Sequence, residues 1–123
     1  MTRAPFDPIT FQVLWSRLIS IADEVAATLV KTAFSHVVRD NHDYSIGLYD
    51  AEGRMLAQST QCTPGQIGAM PKVMKDFLKR YPAETLVPGD VLITNDPWFG
   101  SGHTPDVFVG APEIGRASCR ERV

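Results

Sequence analysis

No glycine and no further proline interrupts the chain between Pro8 and Val38. Within that stretch Leu14, Leu18, Ile21, Val25 and Leu29 recur at spacings of four, three, four and four, the period of a helix with one apolar stripe. Asp7 and Pro8 open it in the favoured way, an aspartate able to cap the first free N–H groups followed by a proline with none to satisfy. Arg17, Ser20, Asp23, Glu24 and Lys31 fall largely off the stripe. A helix of some 25 residues is about 40 Å long, well beyond the average of about three turns. It therefore spans a large core or packs against another chain. A coiled coil is open to it, although three clean heptads with flanking charges are not present.

Arg39 to Asp43 is a polar break. Tyr44 to Tyr49 then alternates in strand fashion, and Arg54 to Gln58 is its expected partner, with Asp50 to Gly53 as the turn between them. Gln61 to Pro71 holds Pro64, Gly65, Gly68 and Pro71 and reads as a structured loop. A second helix is expected to begin at Pro71, bury Val73, Met74, Phe77 and Leu78, and end at Tyr81-Pro82. Lys72, Lys75, Lys79 and Arg80 form its solvated side. Pro88 to Asp90 is a turn, Val91 to Thr94 a short strand, and Asp106 to Gly110 a further strand in need of a partner. This order of helix, hairpin, helix, strand, loop and strand defines an α+β class.

With 44% hydrophobic and 21% charged residues the composition is that of a globular domain rather than a disordered chain. A net charge of −2 without a basic stripe speaks against a nucleic-acid partner. No apolar run approaches the roughly 20 residues that cross a bilayer, and the start carries no signal-peptide pattern, so no membrane partner and a cytoplasmic address are expected. From Glu113 the sequence Glu-Ile-Gly-Arg-Ala-Ser-Cys-Arg-Glu-Arg-Val looks like the translation of a sequencing-library adapter joined in frame to a truncated gene. The division expected is 1–112 as one natural unit and 113–123 as a non-native tail; the alternative is a frayed basic end. Without Cys119, Cys62 stands alone, which fits a reducing compartment.

Chemistry concentrates in Asn95 to Asp106, reading Asn-Asp-Pro-Trp-Phe-Gly-Ser-Gly-His-Thr-Pro-Asp. Two prolines and two glycines exclude a helix or a central strand here, so the segment is a loop with its shape set by turn residues. His103 and Asp106 are the candidate metal ligands: an imidazole nitrogen and a carboxylate oxygen suit manganese, zinc or iron. Two ligands are too few, and a third must come from elsewhere. The bland alternative is a solvated histidine and a turn-capping aspartate. Asp96 before Pro97 suits an Asx-turn; Trp98 and Phe99 line a pocket or join the core. Ser59, Ser101, His36 and His42 lack a nucleophile-elbow context, and Gly65-x-x-Gly68 lacks the lysine of a phosphate loop. Cys62 is a packed thiol or a nucleophile. Arg39, Asp40 and Asp43 either bind an acidic or amide substrate or form a surface ion pair.

Five stretches taken together resemble one family. Asp7-Pro-Ile-Thr-Phe11, Arg54-Met-Leu-Ala-Gln58, Ile67-Gly-Ala-Met-Pro71, Pro88-Gly-Asp90 and Asn95-Asp-Pro through Gly102-His-Thr-Pro-Asp106 occur in the order seen at the N-terminus of the hydantoinase B/oxoprolinase family. The resemblance implies a piece of a larger α+β subunit of an ATP-dependent hydrolase acting on a small cyclic amide such as a hydantoin or 5-oxoproline. It implies a hydantoinase A-type partner subunit that binds the ATP. The acetone-type carboxylase branch implies instead a manganese site in which a His-x-x-Asp pair matches His103 and Asp106, with a further histidine downstream. Many family members carry histidines where this sequence has Cys62 and Gln66. The contrasting reading, of another class, is a non-catalytic helical interaction module.

Overall fold

A computed structural model describes residues 7–114. The expectation of a foreign tail from Glu113 therefore falls, beyond Ile114, outside the described residues. Among the described residues the architecture is α+β, with three α-helices and two small antiparallel sheets, and the chain divides into two compact units, 1–68 and 69–123.

The first unit is built on α1, Pro8–Thr32. Asp7 caps it as expected, its carboxylate accepting from the N–H groups of Ile9 and Thr10 at 3.4 and 3.1 Å and from the Thr10 hydroxyl at 2.9 Å. The helix ends before Val38: Ala33 is extended, although its N–H still closes the last turn on the Leu29 carbonyl at 2.9 Å. A separate short helix, α2, spans His36–Arg39. No glycine or proline makes this stop; the chain turns extended at Ala33 and begins again from Ser35.

The expected hairpin forms, with β2 at Met55–Gln58 and a β1 of only Gly47–Tyr49, the last half of the Tyr44–Tyr49 stretch expected to be strand. Its register pairs Gly47 with Gln58, Leu48 with Ala57 and Tyr49 with Met55, with an irregularity between Leu48 and Tyr49. The turn is organised by Asp50, whose carboxylate takes the N–H groups of Glu52 and Arg54 at 3.1 and 2.8 Å and the Arg54 Nε at 2.6 Å. Gly53 supplies the positive φ, 76°. α1 packs on β2 through side chains small enough to let a helix approach a strand closely. Ala22, Ala26 and Ala57 are all buried. Asp23 fastens the contact by accepting from the Thr60 N–H at 2.7 Å and its hydroxyl at 3.0 Å.

α3 runs Pro64–Arg80, which corrects the expected start at Pro71. Thr63 and Pro64 repeat the opening of α1: the Thr63 carbonyl accepts from Gln66 and Ile67 at 3.1 Å, and proline sits at the first position, where no N–H is needed. Pro71 lies inside the helix. There it removes one i→i−4 bond and crowds the preceding turn.

In the second unit α3 buries Val73 and Phe77, and the chain continues through a 3-10 turn at Ala83–Thr85. The Pro88-Gly89 turn follows, with Gly89 at φ 99° and the Asp90 N–H bonded to the Val87 carbonyl at 3.1 Å. β3 (Leu92–Thr94) and β4 (Phe108–Gly110) are antiparallel, pairing Leu92 with Gly110, Ile93 with Val109 and Thr94 with Phe108. The strand in need of a partner thus finds it in β3. Gly110 is buried, and a Cβ there would touch Phe77 and Met74 of α3 at 3.5 and 3.6 Å, so the sheet lies close on the helix.

Candidate functional site

The β3–β4 ladder closes a long loop at the Thr94–Phe108 pair, and everything chemically notable in the second unit hangs from that closure. The loop is fastened at its root by its own polar side chains. The Asp96 N–H donates to the Thr94 hydroxyl at 3.1 Å, and the Asp96 carboxylate accepts from the Trp98 N–H at 2.9 Å, the expected Asx-turn. The Asp96 carbonyl accepts from Phe99 and Gly100, both at 3.1 Å. Across the loop, the Asn95 amide donates to the Thr104 carbonyl at 3.2 Å. Two glycines serve different needs. Gly102 turns the chain at φ 89°, whereas Gly100 lets the backbone lie against the Phe108 ring, where a Cβ would come within 2.5 Å of Cε2.

This framework brings His103 and Asp106 together, with His103 Nε2 3.0 Å from Asp106 Oδ2. The histidine is 59% exposed and the aspartate 19%, so the pair has one face toward solvent. The Asp106 carboxyl is held below its ordinary range, by the Ser101 hydroxyl first and by His103 after it, against a desolvation that pushes the other way. The Ser101 Oγ is itself buried and makes no hydrogen bond of regular geometry; its dipole lies near the carboxylate without a proper bond.

The spacing suits shared coordination. Two adjacent donors on a first-row ion, each bound at roughly 2.1 Å, stand about 3.0 Å apart at a right angle and about 3.4 Å apart at a tetrahedral one. The same 3.0 Å is also an ordinary N–H···O hydrogen bond. Among the described residues no group of three or more histidine, cysteine, aspartate or glutamate side chains is placed to hold a metal ion. His103 and Asp106 are a two-donor pair.

The loop aromatics take opposite fates. Trp98 is 87% exposed, neither core nor pocket wall, while its carbonyl accepts from Lys72 Nζ at 2.9 Å. Phe99 is half-buried and carries the Arg80 guanidinium 4.5 Å above its ring. A cavity of about 140 Å³ opens beside it, lined in part by Val73, Asp76, Phe77, Arg80, Asp96 and Phe99. The basic side of α3 is thus only partly a solvated face. Lys72 and Arg80 reach the loop, Lys72 and Lys79 pair with Asp76 at 3.6 and 3.2 Å, and Lys75 stays exposed. Sequence reasoning passed over Arg80. The signal available was its position one turn beyond Asp76, on the face that α3 turns to the loop.

The other candidates separate. Asp40 pairs with His36 at 2.8 Å and with Arg39 at 3.1 Å, all three exposed, a surface ion pair. Asp43 stands apart from them and accepts from the Thr63 hydroxyl at 3.1 Å and the Gln66 amide at 3.2 Å. Ser59 is buried and donates to the Gln61 carbonyl at 2.7 Å. Cys62 is half-buried, 3.8 Å from the Gln58 amide.

Comparison with known proteins decides the family. The profile of the family described as hydantoinase B/oxoprolinase matches residues 7–119. The chain belongs to the hydantoinase B/oxoprolinase family. It is 34% identical over 103 residues to the B-type subunit of a provisionally named D-/L-hydantoinase of Pseudomonas sp., covering 82% of this chain and 17% of that one. It is 35% identical over 108 residues to a 5-oxoprolinase of Saccharomyces cerevisiae and 32% identical over 106 residues to 5-oxoprolinase 1 of Arabidopsis thaliana. These matches cover 88% and 86% of this chain and 8% of each relative. The hydantoinase B/oxoprolinase chain described here therefore spans a small part of the length of these relatives. The family match runs to residue 119, so it takes in part of the stretch from Glu113 that the sequence reading set apart. No solved structure matches the chain. No helix among the described residues is long and apolar enough to cross a membrane.

Proposed function

We propose that this chain is the N-terminal part of a subunit of an ATP-dependent hydrolase that opens a small cyclic amide, a hydantoin or 5-oxoproline. The observation that carries the reading is the family match over residues 7–119, with relatives named as a hydantoinase component and as 5-oxoprolinase. That the Pseudomonas relative is named as one subunit of its enzyme supports a partner chain, which we take to be the hydantoinase A-type, ATP-binding one. His103 and Asp106 are the two ligands this chain contributes to a divalent metal, manganese or zinc. Bound there, such an ion would polarise a carbonyl or acidify a water.

The chain's own residues hold that pair ready. The Asx-turn at Asp96 and the Asn95 clamp on Thr104 fix the loop from which both ligands project. The Ser101 dipole and the His103 ring favour the ionised form of Asp106, the form in which a carboxylate ligates. The partial burial of Asp106 sets its carboxylate on the protein side of the pair, leaving the His103 ring as the more open member.

The test uses the full-length subunit purified with its partner subunit. Ring opening of hydantoins and 5-oxoproline is followed with and without ATP, and bound metal is measured by elemental analysis. The expected result is ATP-dependent ring opening, a stoichiometric divalent metal, and loss of both in His103→Ala and Asp106→Ala. Bicarbonate-dependent consumption of a ketone in place of ring opening would move the protein to the carboxylase branch. A full-length complex with neither activity and no metal would refute the proposal.

A further inference from the structure

Among the described residues one apolar face of α1 is packed, and apolar side chains elsewhere on it are exposed, Ile9, Val13 and Trp15 as well as Leu14 and Val25. Ala22 and Ala26 are buried against the hairpin. Beside them runs a second stripe, Leu14, Leu18, Ile21, Val25, Thr28 and Thr32, at spacings of four, three, four, three and four. That is the alternation of a helix seam packing against another helix. Leu14 is 49% and Val25 46% exposed, and Ile21, Val25, Thr28, Leu29 and Thr32 help line an open groove of about 490 Å³. The two threonines do not make this stripe polar. Their hydroxyls donate back to the carbonyls of Glu24 and Thr28, each at 2.8 Å, so either can enter a dry contact without leaving a donor unmade.

We propose that this stripe is a self-association surface whose occupant is α1 of a second copy of the chain, laid antiparallel. Charge complementarity selects the partner and its direction. Arg17 and Glu24 flank the stripe on one side, seven residues apart, and pair with each other within the helix at 3.4 Å while both are largely exposed. In an antiparallel pair centred between Leu18 and Ile21, Leu18 lies against the partner's Ile21 and Leu14 against the partner's Val25. The same arrangement sets Arg17 against the partner's Glu24 and Glu24 against the partner's Arg17. A parallel pair places Ala22 and Leu29 opposite those charges instead and matches neither. The exchange of one exposed ion pair within the helix for two across it adds little affinity, and its role is to choose orientation. The apolar run from Leu14 to Val25 is under two full heptads, so the association is weak and reversible.

Sedimentation equilibrium of the 123-residue chain, from about 1 µM to about 1 mM to cover the range of weak interfaces, tests this. The expected result is a monomer–dimer equilibrium. Val25→Asp abolishes it, and R17E or E24R alone weakens it roughly tenfold or more, because each sets two like-charge contacts across the pair. Mixing R17E with E24R restores association to the wild-type level, since every contact between the two variants is then opposite in sign. Far-UV circular dichroism confirms that each variant keeps its helix. A chain that stays monomeric over the whole range overturns the proposal, as it would if the stripe is covered by other chemistry. A dimer indifferent to Val25→Asp or to the charge reversals, or a mixture no stronger than either variant alone, overturns it as well.

Discussion

Gly100→Ala is the sharpest probe of how the loop is held. Among the described residues the positive-φ glycines are Gly53, Gly89 and Gly102 and not Gly100, so alanine meets no left-handed backbone penalty at Gly100 and the cost is steric. A Cβ at Gly100 would stand 2.5 Å from Phe108 Cε2, 3.1 Å from Cδ2 and 3.4 Å from Cζ. Carbon atoms settle near 3.5–4.0 Å, so the ring or the loop must retreat by about 1 Å. The loop cannot move freely, because the Gly100 N–H is bonded to the Asp96 carbonyl at 3.1 Å and the Asp96 N–H to the Thr94 hydroxyl at 3.1 Å. Phe108 in turn sits in the ladder opposite Thr94. Forcing one methyl into such a contact costs about 1–3 kcal/mol, while the stiffer unfolded chain returns about 0.4–1 kcal/mol. The net is a destabilisation of roughly 0.5–2 kcal/mol, or about 4–8 °C of melting temperature per kcal/mol for a unit of this size. Urea and thermal unfolding would be followed by circular dichroism for Gly100→Ala, Phe108→Leu and the double variant. Leucine lacks the ring atoms that clash, so the double variant is expected to be more stable than the sum of the singles by about 1 kcal/mol. Strictly additive effects, or a Gly100→Ala chain as stable as wild type, would refute the close approach of loop and ring.

Gly102 is the contrasting case, since nothing lies within 4 Å of its Cβ position and its φ is 89°; Gly102→Asn is expected to cost less than Gly102→Ala in the same unfolding assay, because asparagine tolerates the left-handed region better. Ser101→Ala and His103→Ala are each expected to raise the Asp106 pKa, since the Ser101 hydroxyl and the His103 ring both lower it; NMR titration of the carboxyl carbon measures both. Asp50 is held below its ordinary value of 3.8 chiefly by the Arg54 N–H, with the Arg54 guanidinium adding to it. Its contribution to stability is therefore fully present above that unfolded value and is lost as pH falls through the lower folded one, so Asp50→Asn should flatten the acid limb of a stability–pH curve and leave its slope near neutrality unchanged. Arg80→Ala removes the guanidinium from the Phe99 ring and is expected to cost roughly 0.5–1 kcal/mol in denaturant unfolding, the range for an exposed cation–π contact.

The parts of the fold readable from residues alone were those specified by local chemistry. Asp7-Pro8 names the start of α1, and the side-chain cap supplies the reason. Asp50 to Gly53 names the hairpin turn, and a carboxylate that collects three donors explains why. The misread elements were those in which local chemistry points both ways. Gly65, Gly68 and Pro71 are breakers by type, yet all three lie inside α3. The better clue was Thr63-Pro64, the same kind of opening as Asp7-Pro8. Trp98 departs from expectation for a different reason: burial statistics favour aromatics inside, but a turn fixed by the residue two before it leaves this side chain 87% exposed. The pairing of β3 with β4 and the seating of Arg80 on Phe99 join residues far apart along the chain, and spacing carries no trace of either.

The meeting of His103 and Asp106 depends on both kinds of information at once. A gap of three residues in a loop does not bring two side chains together by itself, because no helical repeat imposes it. Here the juxtaposition comes from outside the pair. The ladder at Thr94–Phe108 sets where the loop leaves and returns, Asn95 ties its rising limb to Thr104 beside the histidine, and Gly102 makes the reversal just before it. Loosening any one of these leaves both side chains in the sequence and is expected to open the 3.0 Å contact between them. The loop's glycine, asparagine and Asx-turn residues therefore belong to the candidate site as much as the histidine and aspartate do. On the proposed metal role of His103 and Asp106, Asn95→Ala should thus weaken metal retention by the full-length complex although the Asn95 amide bonds to the Thr104 carbonyl. Unchanged retention in that variant would mean that the rest of the subunit, rather than this loop, positions the pair.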